Sequence, residues 1–106
     1  MKNKAQVYIP YDKIAEFSQR WKIREVCLFG SALRPDFGPG SDIDVLVTFE
    51  PEAQYGLFDI VRIEDELKEI LGRDVDLIDR KSVEESRNYI RRHEVLETLE
   101  TIYVQR

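Results

Sequence analysis

Apolar residues recur at helical spacing in two stretches of the chain. Residues 10–21 open with a proline and place an apolar side chain every three or four positions, which predicts an amphipathic helix carrying Tyr11, Ile14, Phe17 and Trp21. Residues 57–71 repeat the pattern, and Gly72 follows where a left-handed helix cap is expected. These two stretches therefore predict two helices, each with one apolar side.

Three shorter stretches have the composition of β-strands. Residues 24–29 are largely apolar, and residues 41–49 are rich in β-branched side chains. A loop rich in proline and glycine, residues 35–40, separates them. Residues 74–78 read DVDLI and alternate acidic with apolar positions, which predicts a third strand.

The C-terminal quarter of the chain carries a further helical signal. Ser82 and Glu85 have the spacing of a capping box, which predicts that a helix begins at Ser82. One or two helices are expected to follow, with an apolar stripe made of Val95, Leu96, Leu99, Ile102 and Tyr103. The predicted order is helix, strand, strand, helix, strand and helix. It is typical of a small mixed α/β sheet with helices on one face, and we expect residues 1–106 to form a single domain.

Composition and charge narrow the class of protein. The 106 residues are 42% hydrophobic and 35% charged, as in a folded globular domain, and the formal net charge is -5. An acidic chain disfavours direct binding of nucleic acid, which depends on basic surface. No apolar run approaches the roughly 18 residues that span a bilayer, and we expect no signal peptide. The chain has a single cysteine, Cys27, so it cannot form an internal disulfide. We therefore expect a cytoplasmic protein.

Acidic residues on the predicted strands form the first candidate site. Asp42 and Asp44 lie two positions apart, so their side chains share one face of the strand at a separation of about 7 Å. Asp76 alternates with Val75 and Leu77 in the same way on the third strand. If the two strands pair, three carboxylates converge on one face and can hold two Mg²⁺ ions around a phosphoryl group. Asp74 and Asp79 are alternatives to Asp76, and a solvent-exposed strand end is the alternative reading of the Asp42–Asp44 pair.

A Gly30–Ser31 pair lies directly after the first predicted strand. Glycine lets the backbone approach a bulky anion, and a serine hydroxyl adds a donor for phosphate. Such a pair alone is most often an ordinary turn. It becomes specific because the DID sequence of residues 42–44 follows after ten residues, 32–41.

This combination, GS followed after ten residues by DID and later by VDLI, resembles the nucleotidyltransferase superfamily that includes DNA polymerase beta. More narrowly, it is similar to minimal nucleotidyltransferase (MNT) domains, over nearly the whole chain. The resemblance implies a nucleotidyltransferase palm in which Gly30 and Ser31 bind the triphosphate. It implies that Asp42, Asp44 and Asp76 bind two Mg²⁺ ions, with Asp76 also helping to deprotonate the attacking hydroxyl. Arg34 corresponds to a basic residue that could reach phosphate, although an exposed surface arginine is an equal alternative.

The resemblance also implies a partner. MNT proteins of this kind are commonly antitoxins that transfer AMP from ATP to a tyrosine of a HEPN-domain RNase toxin, so we expect this activity and a complex with such a toxin. The alternatives are an antitoxin that neutralises its toxin by binding alone, and a nucleotidyltransferase for small molecules.

Several other residues are expected to be structural. Cys27 lies in an apolar strand and is expected to pack as a small hydrophobic side chain. Trp21 and Phe17 follow the apolar stripe of the first helix and are expected in the core. The acidic run of Glu64, Asp65 and Glu66 is expected to form the solvated side of the long helix.

Overall fold

One four-stranded sheet organises the computed structural model of the chain, which describes residues 8–29, 42–84 and 99–105. The strands are β1 (Ile23–Phe29), β2 (Ile43–Phe49), β3 (Val75–Asp79) and β4 (Glu100–Val104). Their order across the sheet is β3–β2–β1–β4. β1 runs antiparallel to both β2 and β4, whereas β2 and β3 are parallel. The predicted fold class, a small mixed α/β sheet, is confirmed.

Two helices connect and cover this sheet, α1 (Tyr11–Arg20) and α2 (Leu57–Leu71). Pro10 precedes α1, where a backbone N–H would have no acceptor within the helix, so the missing N–H of proline does not destabilise it. At the start of α2 the Asp59 carboxylate accepts a hydrogen bond from the Gly56 N–H at 3.1 Å. Gly72 ends α2 with a φ of 69°, the left-handed conformation that glycine adopts without a steric penalty. The sequence prediction of both helices and of this cap is confirmed.

The main core lies between the sheet and these two helices. It includes Ile14 and Phe17 of α1 and Ile63 and Leu67 of α2, all fully buried. The sheet contributes the inward face of its strands, with Val26, Leu28, Ile43, Val45, Val47 and Ile102. Because side chains alternate along a strand, residues 44 and 46 of β2 must face the opposite side.

That opposite side carries a second, smaller apolar cluster of Cys27, Phe29, Leu46 and Val83. Val83 belongs to a short helix, α3 (Arg80–Glu84), which follows β3 directly. Helices were predicted on one face only, so the position of α3 corrects that detail. The Asp79 carboxylate accepts a hydrogen bond from the Lys81 N–H at 3.1 Å and caps α3. The prediction that Ser82 caps a helix is therefore wrong, because α3 begins at Arg80.

The last described residues also differ from the prediction. Residues 100–104 form strand β4, where the sequence predicted a helix. Thr101, Ile102 and Val104 are β-branched, and β4 pairs with β1, placing Tyr103 opposite Val26. The rest of the predicted C-terminal helical region, 85–98, lies outside the described residues. In the described part of the chain, no helix is both long and apolar enough to span a membrane.

Candidate active site

Two acidic side chains are brought together by the parallel pairing of β2 and β3. Asp44 and Asp76 are register partners, and neighbouring strands lie about 4.8 Å apart. Because Val45 and Leu77 pack toward the main core, both carboxylates project from the face away from α1 and α2. Asp44 is half-buried and Asp76 is exposed. The predicted pairing of these two strands is confirmed, and it sets two negative charges side by side.

Asp42 precedes β2 by one residue and is exposed. The backbone at this point is anchored, because the Ile43 N–H donates to the Asp74 carbonyl at 2.9 Å and ties together the starts of β2 and β3. Asp42 shares the parity of Asp44, so the three predicted acids lie at one end of the sheet.

Carboxylate oxygens are the ligands that Mg²⁺ prefers, so the donor set of this edge fits that metal. Within residues 8–29, 42–84 and 99–105, however, no three Asp, Glu, His or Cys side chains are gathered into a metal-binding cluster. The Asp44–Asp76 register pair is therefore the part of the predicted site that the structure brings together.

The two alternatives to Asp76 occupy different positions. Asp79 is the register partner of Val47, at the other end of β3, and its carboxylate caps α3. It does not neighbour Asp44. Asp74 is exposed and lies just before β3, at the same end as Asp42. Asp76 is thus the acid that the strand register places beside Asp44.

An apolar surface lies beside and behind the acid pair. Phe29, the last residue of β1, is buried and is the register partner of Asp44. One step further into the sheet, Leu46 neighbours Cys27 on one side and Ile78 on the other. These side chains, covered in part by Val83, exclude water from the rear of the site. Electrostatic interactions are stronger where water is excluded, so this apolar surface strengthens the interaction of the Asp44 and Asp76 carboxylates with a bound cation.

An ion pair holds the short helix α3 against the sheet face that carries Asp44 and Asp76. The Arg80 guanidinium, at the start of α3, contacts the Glu25 carboxylate of β1 at 2.9 Å, and Thr101 of β4 lies 3.5 Å from the other Glu25 oxygen. Burial raises the pKa of the Cys27 thiol, and a contact with the Thr101 hydroxyl opposes that shift. The prediction that Cys27 packs as a buried hydrophobic side chain is confirmed.

The other predicted site residues, Gly30, Ser31 and Arg34, lie outside the described residues. Strand β1 ends at Phe29, immediately before Gly30 in the sequence. Their phosphate-binding roles remain predictions.

Two carboxylates that the sequence assigned to the solvated side of α2 have structural partners instead. Glu66 accepts a hydrogen bond from the Trp21 indole N–H at 2.7 Å and forms a two-pronged ion pair with Arg20, at 2.6 and 3.2 Å. The bond from Arg20 lowers the pKa of Glu66. Glu64 accepts from the Leu77 N–H on the outer edge of β3 at 3.4 Å. That prediction is wrong for Glu64 and Glu66, because it ignored partners distant in sequence.

Residues 12–100 of the chain match the nucleotidyltransferase domain family. The match spans most of the chain and includes β1, β2, β3 and α2, so the chain belongs to this family. The resemblance identified in the sequence is confirmed at the level of the family.

A protein adenylyltransferase of Thermococcus cleftensis, MntA, is 35% identical over 68 residues, which are 64% of this chain and 67% of that protein. A Methanocaldococcus jannaschii relative is 34% identical over 64 residues. The chain spans about two thirds of the length of these relatives, 64% and 67%.

Two of the solved structures with the same fold are toxin–antitoxin complexes. A crystal structure of a toxin–antitoxin with AMP-PNP contains a chain with a TM-score of 0.68 and 21% identity, covering 92% of this chain and 76% of that one. A structure of a tri-AMPylated Shewanella oneidensis HEPN toxin in complex with an MNT antitoxin contains a chain with a TM-score of 0.60 and 22% identity, covering 90% and 70%. At these identities the likeness establishes the fold.

Proposed function

We propose that this chain is a metal-dependent nucleotidyltransferase that acts as an antitoxin. It transfers AMP from ATP to a tyrosine hydroxyl of a partner HEPN-domain RNase toxin and so neutralises the toxin. The observation that carries the proposal is the register pairing of Asp44 with Asp76 in a chain of the nucleotidyltransferase domain family. Relatives named as protein adenylyltransferases, and the complexes with AMP-PNP and with an AMPylated HEPN toxin, support the choice of ATP and of the acceptor.

The acids have distinct roles in this proposal. Asp42, Asp44 and Asp76 would hold two Mg²⁺ ions, which would neutralise charge on the triphosphate and lower the pKa of the attacking hydroxyl. Asp76, exposed at the edge of the sheet, accepts the proton of that hydroxyl. The tyrosine oxygen bonds to the α-phosphorus as the bond to the bridging oxygen breaks, and pyrophosphate leaves in line.

The nucleotide is bound by residues that follow β1. Gly30 and Ser31 hold the triphosphate, and Arg34 adds a positive charge to it. Their family motif supports these roles, together with the end of β1 at Phe29, the register partner of Asp44. We place the reaction in the cytoplasm, where ATP is available, and assign it to residues 1–106 acting as one minimal domain.

Transfer of labelled AMP tests the proposal directly. The purified chain is incubated with Mg²⁺, ATP labelled at the α-phosphate, and a HEPN-domain protein from the same genome. The expected result is label on the HEPN protein, which is lost when Mg²⁺ is chelated or when its acceptor tyrosine is changed to phenylalanine. A stable complex that never acquires label would instead indicate an antitoxin that acts by binding alone.

A further inference from the structure

An apolar patch is exposed at the start of α2. It consists of Leu57, Phe58 and Val61, which are 77%, 85% and 47% exposed, and we call it the α2 patch. Six large apolar side chains are exposed within the described part of the chain, and three of them lie in this single stretch. Fully burying a phenylalanine is worth about 1.5–3 kcal/mol, so a cluster left in water at one place indicates a binding surface.

The α2 patch lies at the end of the sheet opposite to the acids. Helix α2 starts close to the C-terminal end of β2, because Tyr55, two residues before Leu57, packs edge-on against Phe49 with ring centroids 5.3 Å apart, whereas Asp44 lies near the N-terminal end of that strand. The five residue steps from Asp44 to Phe49 correspond to about 17 Å along the strand. The patch is therefore remote from the register pair of Asp44 and Asp76, and its exposure is not explained by the chemistry of the site.

A second copy of the chain does not suit the patch. Helical spacing continues the patch along α2 to Arg62, Asp65, Lys68 and Glu69, and Asp65 and Lys68 form an ion pair at 4.0 Å, so this border carries little net charge. The net charge of -5 on the whole chain disfavours contact with a second copy and favours a partner surface rimmed by lysine or arginine.

We propose that the α2 patch docks the protein that receives AMP, through an apolar surface on that protein rimmed by basic residues. The identity of the partner rests on the proposed function, whereas the position of the surface rests on the exposed side chains. Phe58, the most exposed of the three, is the anchor, because aromatic side chains carry much of the energy of protein interfaces. Docking and transfer then use opposite ends of the sheet, so a substitution at one end can abolish one of them without affecting the other.

Affinity measurements with a matched control test this inference. The dissociation constant for the HEPN-domain protein is measured by calorimetry for the wild type, Phe58→Ser, Val61→Ser and Tyr8→Ser. Tyr8 is 82% exposed but lies before α1, outside the patch. We expect Phe58→Ser to raise the dissociation constant at least about tenfold and Val61→Ser to raise it less, with Tyr8→Ser unchanged. In the transfer assay Phe58→Ser should raise the KM for the acceptor and leave kcat as in the wild type.

The outcomes separate this inference from the proposed function. Equal dissociation constants for Phe58→Ser and the wild type, with circular dichroism showing both folded, would overturn docking at the patch and leave adenylyl transfer standing. A wild type that binds the acceptor without labelling it would overturn the transfer, while loss of affinity in Phe58→Ser would still support docking. A wild type that neither binds nor labels the HEPN protein would overturn both.

Discussion

Asp44 and Asp76 are direct register partners across the parallel pair of β2 and β3. Helix α2 makes this possible, because it crosses the inner face of the sheet and returns the chain to run parallel to β2. Two carboxylates about 5 Å apart repel each other unless a cation lies between them. They are tolerated here because Asp76 is exposed at the outermost described strand. Two adjacent carboxylates at the edge of the sheet also form a suitable binding site for divalent cations.

The Asp44→Asn variant should lose adenylyl transfer and keep its fold. Asparagine has nearly the same shape but no charge, so it cannot share a divalent cation with Asp76, and we expect the rate to fall at least about a hundredfold. Because the shape of the side chain is kept, the variant should still unfold cooperatively, as the wild type does. Initial rates of labelling and thermal melts measure the two effects. Full transfer activity in a well-folded Asp44→Asn protein would refute the assignment.

The third acid can be identified by comparing three substitutions. Asp76→Asn should lower the transfer rate as strongly as Asp44→Asn, because the two residues are register partners. Asp79→Asn should have little effect, since the amide oxygen of asparagine can still cap α3. Asp74→Asn tests the other alternative. Labelling rates at saturating Mg²⁺ distinguish them, and a larger loss in Asp74→Asn than in Asp76→Asn would move the role to Asp74.

Much of this site could be predicted because its signals are local. Strand alternation and the DID and VDLI motifs placed Asp44 and Asp76 on one face, and the helical period with Gly72 gave α2 its bounds. Strand β4 was missed because Leu99, Ile102 and Tyr103 also have helical spacing. Pairing with β1, far away in the sequence, decides its structure.

The structural roles of Glu64 and Glu66 were missed for the same reason. Their position on the polar side of α2 is local information, whereas their partners Arg20, Trp21 and Leu77 belong to other elements. A carboxylate that binds a distant indole N–H has the same sequence pattern as one that faces water. Only the docking of α1 beside α2 distinguishes the two cases.

The Glu66→Gln variant should be less stable at neutral pH. It removes the charge that pairs with Arg20, and we expect the free energy of unfolding to fall by about 1 kcal/mol, allowing for partial exposure to solvent. The pKa of Glu66 is lowered in the folded state, chiefly by Arg20. Its contribution is therefore complete above the ordinary value of 4.5 and is lost as the pH falls through the lowered pKa.

Urea unfolding of the wild type and Glu66→Gln across pH 7 to about 3 measures this effect. The difference between the two proteins should be constant near neutrality and shrink only below about pH 4.5. Asp65→Asn is the matched control, because Asp65 lies on the same helix and its side chain is 67% exposed. A difference between wild type and Glu66→Gln that does not change with pH would contradict the ionic origin of the contribution.

The Ser18→Ala variant should be more stable than the wild type. Ser18 is fully buried in α1, and among the described residues its hydroxyl oxygen has no hydrogen-bond partner. Burying an unpaired hydroxyl costs about 1–3 kcal/mol, and alanine is also the better helix former. We expect a gain of about 1 kcal/mol in the free energy of unfolding, or a rise in Tm of roughly 4–8 °C. Ser82→Ala, at an exposed position of α3, isolates the helix-propensity part, so its gain should be smaller. If Ser18→Ala destabilised the protein instead, the hydroxyl of Ser18 would have to be paired in solution.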